Sequence, residues 1–449
     1  MNPGILLWNY VGARRGMARW HDRAHLESWQ EDRVRTHLRR VLRGSGWLRE
    51  RFAGRRVEDW RTVPIVGKQE AMSRFRDWNT AGISWDEAMT VALKAEATRD
   101  FSPEIRGITV GLSSGTSGSR GLFLASGPER SAWAGTVLGK VLPMREFDRT
   151  LTGRGRGFME RLVPGRHRVA LFLRAGGGLY EAAGRGRVRF CWFDLMKPAA
   201  EHWRRLEAFD PTVLVAPPSL LKVLLEAGVK VRPEKIVSCA ETCDALDRRE
   251  LADGFGVAKV HEIYQATEGF LGATDAEGVM RLNEDAMVVE REWLDAEKTR
   301  FIPIITDFRR TTQPMIRHRL EDVLMVRNDA GEDVFTALKR IEGRCEDGLW
   351  AVGQGGRTRV FGDSVVRAVI AAADVSDFRV WQTGATTLEV AVSLPEEALE
   401  SGEKAVAAAL ERLWTTMGGK ASVRLVPMPA GEAAGVKRRR VRQLWEDAV

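Results

Sequence analysis

Short apolar runs that alternate with helical stretches constrain the fold of this chain more than any other feature. Between about residue 60 and residue 340 these runs are rich in β-branched residues and are bounded by turn-forming residues. The clearest are GITVGL, RVALFLR, VRFCWFDL, TVLVAPPSLLKVLLEAG, KIVSCA and KVHEIYQ. Continuous apolar strands are typical of a sheet that is buried on both faces. The sequence therefore predicts an α/β domain with a largely parallel sheet and flanking helices.

The two ends of the chain show different patterns. The stretch RWHDRAHLESWQEDRVRTHLRRVLRG has apolar residues at helical spacing and ends at a glycine, which predicts a helical leader over about residues 1–60. After IEGRCEDGLW the pattern changes and indicates a helix, two strands and a second helix. We therefore expect a small α+β domain of roughly a hundred residues after the large one.

Composition is that of a folded globular protein, with 44% hydrophobic and 29% charged residues among 449. Apolar runs are all too short to span a membrane, and the first residues lack the features of a signal peptide, so we expect a cytoplasmic protein. Four cysteines, too few and too scattered for a disulfide framework, are interpreted as free thiols: Cys191, Cys239, Cys243 and Cys345.

Charge is moderately positive, at +8 overall, and acidic residues are interleaved with arginine along the chain. This balance permits an anionic partner such as a nucleotide, coenzyme A or an acidic carrier protein. The densest basic run, KRRRVR at 437–442, resembles a nucleic-acid-binding patch when it is considered alone. We interpret it instead as a solvated terminal segment.

A loop rich in glycine and hydroxyl side chains follows the apolar run ITV, in VGLSSGTSGSRG at residues 110–121. Backbone N–H groups in such a turn converge on an anion, and hydroxyl groups add further donors, which suits a polyphosphate. The loop lacks the Gly-Lys-Ser/Thr ending of a Walker loop, so a P-loop kinase or ATPase is disfavoured. Taken alone, it is equally compatible with an ordinary surface turn.

Two further segments carry residues suited to nucleotide binding. In EIYQATEG at 262–269, an aromatic ring precedes a Thr-Glu pair, and these groups suit a purine, a phosphate oxygen and magnesium respectively. In QPMIRHRLEDVL, Asp322 is placed to accept both ribose hydroxyls. The alternatives are that Glu268 caps or solvates a turn and that Asp322 forms an ion pair with Arg317 or Arg319.

Together with IEGRCED and GVKRRRV, these segments follow one another in an order that resembles the adenylate-forming superfamily of acyl- and aryl-CoA ligases. The resemblance extends from about residue 60 to the end. It is greatest to the phenylacetate-CoA ligase branch and, within it, to factor 390 synthetase-related proteins. The stretches that carry it are VGLSSGTSGSRGLF, LFLRAGGGLYE, RFCWFDL, APPSLL, IYQATEGFL and PIITDFRRTTQPMIRHRLEDVL. The resemblance implies a large domain over 1–343 and a small, mobile domain over 344–449, with a hinge near 344–347.

The resemblance also implies a set of ATP-binding residues. The β- and γ-phosphates would be held by Ser113, Ser114, Gly115, Thr116, Ser117 and Gly118. The adenine would lie between Ala240, Glu241 and Tyr264. Thr267 would contact the α-phosphate and Glu268 would bind magnesium. Asp322 would hold the ribose hydroxyls, and Arg344 would support the ribose or a phosphate.

Substrate chemistry is implied at other positions. Lys437 would be the mobile lysine that bridges the substrate oxyanion and the α-phosphate, with Lys420 in GGKASV as its rival. Gly177, Gly178 and Tyr180 in GGGLYE would line the acyl pocket, although a core position is equally compatible with Tyr180. We expect His261 and His318 to be hydrogen-bonded polar residues and not ligands or bases.

The sequence departs from the superfamily pattern in two places. Arg120 stands where many members have a lysine in the phosphate loop. Close relatives often carry Cys and His in a pattern that suggests a structural metal. Here Asp275, Arg281 and Asn328 stand at those positions, so we expect no structural zinc.

Three functions remain open from the sequence. The first is a ligase that uses ATP and Mg²⁺ to activate a small carboxylic acid, expected to be aromatic, and passes it to coenzyme A or to carrier-protein phosphopantetheine. The second is an AMP transferase with a stable adenylylated product or a non-carboxylate oxyanion as substrate. The third, a non-catalytic nucleic-acid-binding protein, is disfavoured by the set Thr267, Glu268, Asp322 and Lys437. We expect neither nucleic acid nor membrane as a partner, and a homodimer stays an open alternative to a monomer.

Overall fold

The computed structural model describes residues 2–113, 120–143, 167–175, 188–327, 333–345, 348–429 and 439–445. Its helices are α1 (Pro3–Arg15), α2 (Arg23–Val41), α3 (Gly46–Arg51), α4 (Lys68–Ser73), α5 (Phe75–Trp78), α6 (Trp85–Thr98), α7 (Gly127–Val141), α8 (Trp203–Phe209), α9 (Pro218–Glu226), α10 (Ala245–Phe255), α11 (Gly362–Ala372) and α12 (Leu399–Thr416). Short 3-10 helices span Gly16–Arg19, Val57–Thr62, Ala199–His202 and Glu396–Ala398.

The strands begin with β1 (Glu104–Ile105), β2 (Ile108–Leu112), β3 (Leu122–Ser126), β4 (His167–Leu173), β5 (Val188–Asp194), β6 (Val213–Ala216), β7 (Lys235–Ser238), β8 (Val260–Ala266), β9 (Gly269–Thr274) and β10 (Met280–Leu282). They continue with β11 (Met287–Trp293), β12 (Arg300–Asp307), β13 (Met315–Arg319), β14 (Asp322–Val326), β15 (Ala337–Arg344), β16 (Leu349–Gly353), β17 (Gly356–Val360), β18 (Asp377–Gln382), β19 (Thr387–Ser393), β20 (Ser422–Leu425) and β21 (Val441–Gln443).

The chain divides into two compact units. The larger unit comprises Met1–Glu241, Leu251–Leu320 and Val326–Arg340, and the smaller unit comprises Thr242–Glu250, Glu321–Met325 and Ile341–Val449. Helix α10 and strands β14 and β15 therefore have residues in both units.

A parallel sheet forms the centre of the larger unit. Its strands lie in the order β5-β4-β6-β7-β8, and each neighbouring pair is parallel. Every residue of β6 is buried, as expected for a strand covered on both faces. The fold class predicted from the apolar runs is confirmed.

Helix α7 covers one part of this core together with α1. The two helices approach closely because Gly135 and Gly139 of α7 lack side chains. A methyl group at Gly135 would lie only 2.2 Å from the carbonyl oxygen of Leu6, and one at Gly139 would lie 2.6 Å from Cβ of Ala13. The first helix of the predicted leader is therefore packed onto the core of the larger unit.

Antiparallel strands extend the parallel sheet. Strand β9 pairs antiparallel with β8 and with β10, and β10 pairs with the first residues of β15. Strand β12 pairs with β11 on one side and with β13 on the other. The whole sheet is therefore mixed, and a separate antiparallel sheet is formed by β1, β2 and β3.

The smaller unit has a sheet in the order β20-β19-β18-β21 and the helices α11 and α12. Val380, Val390, Leu410 and Trp414 are fully buried in its core. The predicted order of helix, strand, strand and helix is confirmed by α11, β18, β19 and α12. A hairpin of β16 and β17 precedes them.

Two expectations from the sequence, on membrane-spanning segments and on the cysteines, can be compared with the described residues. None of their helices is both long enough and apolar enough to cross a membrane. All four cysteines lie within these ranges and are free thiols, as expected.

Candidate functional site

Two predicted adenine-binding residues lie just beyond the carboxyl end of a central strand. Strand β7 ends at Ser238, and Ala240 follows with a left-handed φ of +65°. The turn directs the Glu241 carboxylate to the start of α9, where it accepts a hydrogen bond of 3.3 Å from the backbone N–H of Ser219. Ser238 pairs with Glu262 of β8, the strand that carries Tyr264 two residues later. This carboxyl edge is where open α/β sheets bind ligands.

The Thr267–Glu268 pair forms the turn between β8 and β9. The Thr267 hydroxyl donates a hydrogen bond of 2.9 Å to Oε2 of Glu268. Glu268 itself is only 8% exposed, so the alternative of a solvated turn residue is wrong. A carboxylate is thus held at the end of a strand next to the predicted adenine-binding residues.

Glu268 is ionised at neutral pH despite its burial. Burial alone would raise the pKa of its carboxyl, but three influences hold that pKa below its ordinary value: attraction to His318 when its ring is protonated, the charge of Lys68, and hydrogen bonds from Thr267 and its own backbone. His318 is neutral at pH 7, because burial lowers its pKa to about 4. The charge of Lys68 and the hydrogen bonds therefore keep the carboxylate ionised under neutral conditions.

A hydrogen-bond network ties this turn to β3. The Arg310 guanidinium donates to the carbonyl oxygen of Thr267 at 2.6 Å and to Oε1 of Gln313 at 2.9 Å. The same Oε1 accepts from the backbone N–H of Leu124, and Nε2 of Gln313 donates to the carbonyl oxygen of Leu122. Gln313 thus binds β3 as a neighbouring strand would, and Arg310 extends the connection to the Thr-Glu turn.

The loop rich in serine and glycine connects β2 to β3. Ser113 at its start donates its backbone N–H to the carbonyl oxygen of Gly121 at 2.7 Å, and its hydroxyl accepts from the Gly121 N–H at 2.7 Å. These bonds close the base of the connection. Ser114, Gly115, Thr116, Ser117 and Gly118 lie outside the described residues.

The smaller unit contains the predicted ribose-binding residues. Asp322 is the first residue of β14, and Arg344 is the last residue of β15. Arg344 donates to Glu321 at 3.5 Å, and the N–H of Cys345 donates to the Glu321 carbonyl oxygen at 2.6 Å, so Arg344 is held beside the residue that precedes Asp322. Arg317 and Arg319, considered as ion-pair partners of Asp322, form bidentate bonds to Glu290 and Glu292 respectively.

The basic run at 437–442 differs from its interpretation as a solvated segment. Lys437 lies outside the described residues, but Arg440 is buried and pairs with Asp244, Asp247 and Asp377. Val441 is buried in β21, which pairs parallel with β18. The expectation of a solvated segment is therefore wrong for Arg440 and Val441.

The remaining predicted positions belong to the acyl pocket and to the segment considered for a structural metal. Gly177, Gly178 and Tyr180 lie outside the described residues, as does Asn328. Arg281 forms ion pairs with Asp275 at 2.6 Å and with Asp333 at 2.7 Å. Arg281 and these two aspartates thus form an ion-pair cluster.

His318 is not the hydrogen-bonded residue that we expected, whereas His261 forms a hydrogen bond with the backbone of Thr274. His318 is 1% exposed and its ring is parallel to that of Trp78, yet neither ring nitrogen has a hydrogen-bond partner among the described residues. Nδ1 of His261 is also unpaired there.

Sequence reasoning missed Lys68, Arg310 and Gln313. The last two lie in the TTQP-containing stretch that carried part of the resemblance, but no pattern showed that they connect β3 to Thr267. Lys68 lies in VGKQE, close to the start of the resemblance, and nothing in its sequence neighbourhood indicates that it acts on Glu268.

No family model matches this sequence, and no curated protein matches it. Several solved structures are similar to it. A 2-hydroxyisobutyryl-CoA ligase in the postadenylation state, in complex with R3-HIB-AMP, has a TM-score of 0.67 at 17% identity and covers 94% of this chain and 90% of its own. The chain shares the fold of this ligase. The open conformation of that ligase, in complex with 2-HIB-AMP and CoA, gives a TM-score of 0.56 at 17% identity, covering 95% and 92%.

An anthranilate CoA ligase in complex with anthranoyl-AMP is also similar. Its TM-score is 0.50 at 14% identity, with 73% of this chain and 64% of that chain covered. At these identities the likeness concerns the fold. It confirms the fold that the resemblance implied, while the phenylacetate-CoA ligase branch stays a prediction.

Proposed function

We propose that this protein is an ATP-dependent ligase that activates a carboxylic acid as an acyl adenylate and transfers the acyl group to a thiol of coenzyme A or a carrier protein. The observation that carries the proposal is the buried, ionised Glu268 in a turn that Arg310 and Gln313 connect to β3. In this proposal the loop that leads into β3 binds phosphate, and Glu268 binds magnesium. The similar solved structures, two of which are CoA ligases with bound acyl adenylates, support the same chemistry.

In this proposal ATP binds along the carboxyl edge of the parallel sheet. Its adenine contacts Ala240, Glu241 and Tyr264, and its ribose is held by Asp322 with support from Arg344. Thr267 contacts the α-phosphate. The β- and γ-phosphates bind in the connection that begins at Ser113 and continues through residues 114–118.

Glu268 fits a magnesium ion that is bound together with phosphates. The described ranges contain no cluster of three or more His, Cys, Asp or Glu side chains that would enclose a metal. Magnesium in phosphoryl-transfer sites usually takes one or two carboxylates and completes its coordination with phosphate oxygens and water. A single ionised carboxylate meets that requirement, and the bound ion would neutralise phosphate charge.

The first reaction would be an in-line displacement. A carboxylate oxygen of the substrate forms a bond to the α-phosphorus, and the bond from that phosphorus to the bridging oxygen breaks, with pyrophosphate as the leaving group. In the second reaction the thiol sulfur attacks the acyl carbon, the thiol loses its proton and AMP leaves. The protein contributes positioning and charge stabilisation, with Lys437 placed against the charge that develops on the α-phosphate.

We further propose an aromatic acid as the substrate. The resemblance to the phenylacetate-CoA ligase branch and the likeness to an anthranilate CoA ligase support this class. Gly177, Gly178 and Tyr180 would line the acyl pocket.

Acid-dependent pyrophosphate release tests the proposed function. The wild-type protein is incubated with ATP, Mg²⁺ and a panel of aryl and aliphatic acids, with and without coenzyme A. We expect release with at least one aryl acid and a thioester when coenzyme A is present. A stable AMP conjugate without thioester would favour the AMP transferase instead, and absence of ATP binding would contradict both activities.

Replacing Glu268 by Gln tests its magnesium role. The substitution keeps the shape of the side chain and removes its charge, so the Mg²⁺ concentration needed for half-maximal ATP binding is expected to rise on the order of 10- to 100-fold. Titration of Mg²⁺ at fixed ATP measures this shift. The exposed Glu277, replaced by Gln, is the matched control. An unchanged Mg²⁺ requirement in E268Q would contradict the assignment.

A further inference from the structure

Lys68 lies at the base of the loop between β2 and β3. A methyl group on Gly121 would lie 2.8 Å from Cε and 3.4 Å from Nζ of Lys68. Gly121 is the residue whose N–H and carbonyl oxygen bind Ser113. The Lys68 ammonium group is therefore placed beside the hydrogen bonds that close this loop.

The backbone before Lys68 is fixed in this position. The N–H of Val66 donates to the carbonyl oxygen of Arg317 at 3.1 Å, and the carbonyl oxygen of Val66 accepts from the N–H of Arg319 at 2.8 Å. Val66 thus pairs with β13 on either side of His318. This pairing places α4, which begins at Lys68, next to the buried part of the site.

The charge of Lys68 has no partner in the part of the chain that the structure describes. No carboxylate there lies within ion-pair distance of its half-buried ammonium, and no acceptor forms a hydrogen bond with it. Its charge nevertheless acts on Glu268 and on His318. A half-buried cation beside the closed base of a loop, with no ion-pair partner among the described residues, is suited to an anionic ligand.

Arg120 does not supply this charge. Its guanidinium forms an ion pair with Glu96 of α6. That pairing engages Arg120 with a carboxylate of α6. Lys68 approaches the same end of the loop from a separate segment of the chain.

We propose that Lys68 binds the β- and γ-phosphates of ATP. This inference rests on the proposed function, since it assumes that ATP is the ligand. Ser113 and Gly121 form the closed base of the loop, Lys68 provides the cation beside it, and Glu268 would bind the magnesium ion. An ammonium group in this position distinguishes ATP from AMP, because AMP has no phosphate that reaches it.

Calorimetric titrations with ATP, AMP and inorganic pyrophosphate in the presence of Mg²⁺ test the inference. In Lys68→Met, which keeps the length of the side chain and removes its charge, the affinity for ATP and for pyrophosphate is expected to fall on the order of 10- to 100-fold. The affinity for AMP should change less than about twofold. Lys68→Arg should restore part of the ATP affinity, and Arg120→Met is the control in which ATP affinity is retained.

The outcomes separate this inference from the proposed function. If the wild-type protein binds ATP more tightly than AMP and Lys68→Met retains that preference, the inference is overturned while the proposed function stands. The inference is also overturned if Lys68→Met loses affinity for ATP and for AMP equally, or if Arg120→Met loses more affinity for ATP than Lys68→Met does. If the wild-type protein binds none of the three ligands, the proposed function itself fails. Thermal unfolding of each variant confirms that a lost affinity does not reflect a lost fold.

Discussion

Replacing Lys437 by Ala is expected to lower acid-dependent pyrophosphate release on the order of 100- to 1,000-fold. In our proposal its ammonium group bridges the substrate oxyanion and the α-phosphate, where negative charge develops during the displacement. A group that acts mainly in the transition state changes kcat far more than it changes ground-state binding. The affinity for ATP should therefore change little, and single-turnover pyrophosphate release together with ATP titration measures the two effects separately.

Lys420 provides the matched control for this experiment. It was the rival lysine in the sequence and is exposed between α12 and β20. We expect Lys420→Ala to release pyrophosphate at close to the wild-type rate. If Lys420→Ala lowers the rate of pyrophosphate release strongly and Lys437→Ala lowers it little, Lys420 is the catalytic lysine. If both variants lower the rate equally and only slightly, neither lysine takes part in the displacement.

The central sheet could be predicted because its signal is local. Runs such as RVALFLR and KIVSCA became β4 and β7, since continuous apolar residues must be covered on both faces of a sheet. The turn at Thr267 and Glu268 was likewise visible as a polar pair after a strand. The residue types of neighbouring positions were enough to predict both the strands and this turn.

The contacts that complete the site could not be predicted, because they join residues far apart in the sequence. Gln313 binds backbone atoms of β3 that lie 189 and 191 residues away, and a glutamine carries no periodic signal for such a role. Lys68 acts on Glu268 through a charge whose position depends on the pairing of Val66 with β13. Burial of Glu268 depends in turn on this packing. Residue types alone therefore left open whether its carboxylate was solvated.

Arg440 shows the same limitation in the smaller unit. The run KRRRVR has a high local charge, which favours a solvated segment when only neighbours in sequence are considered. Three aspartates, of which Asp244 and Asp247 are 196 and 193 residues away, neutralise its guanidinium. A basic residue can be buried when its carboxylate partners are supplied by another segment, and the sequence alone does not show which segment that is.

Replacing Arg440 by Leu is accordingly expected to destabilise the smaller unit by about 3–5 kcal/mol. The guanidinium binds both oxygens of Asp247 at 3.0 Å and Asp377 at 3.1 Å, and it also pairs with Asp244. Its pKa is raised, because the attraction of Asp247, Asp244 and Asp377 exceeds the opposing effect of burial. Leucine would leave these carboxylates without their cation. Urea unfolding of the variant and of the wild type measures the loss.

Arg442 lies in β21, which begins directly after Arg440, but its side chain is exposed. Arg442→Leu is therefore the control and should change the free energy of unfolding by less than about 0.5 kcal/mol. If the ion pairs cause the loss in Arg440→Leu, adding Asp247→Asn should recover part of it, because one uncompensated charge is then removed. Equal stability of the two leucine variants would show that the buried cluster contributes nothing to the stability of the smaller unit.

Because Arg440 lies three residues after Lys437, its loss should also lower pyrophosphate release at urea concentrations where the larger unit stays folded. Release at the wild-type rate under those conditions would mean that the anchoring of Arg440 is not needed to position Lys437.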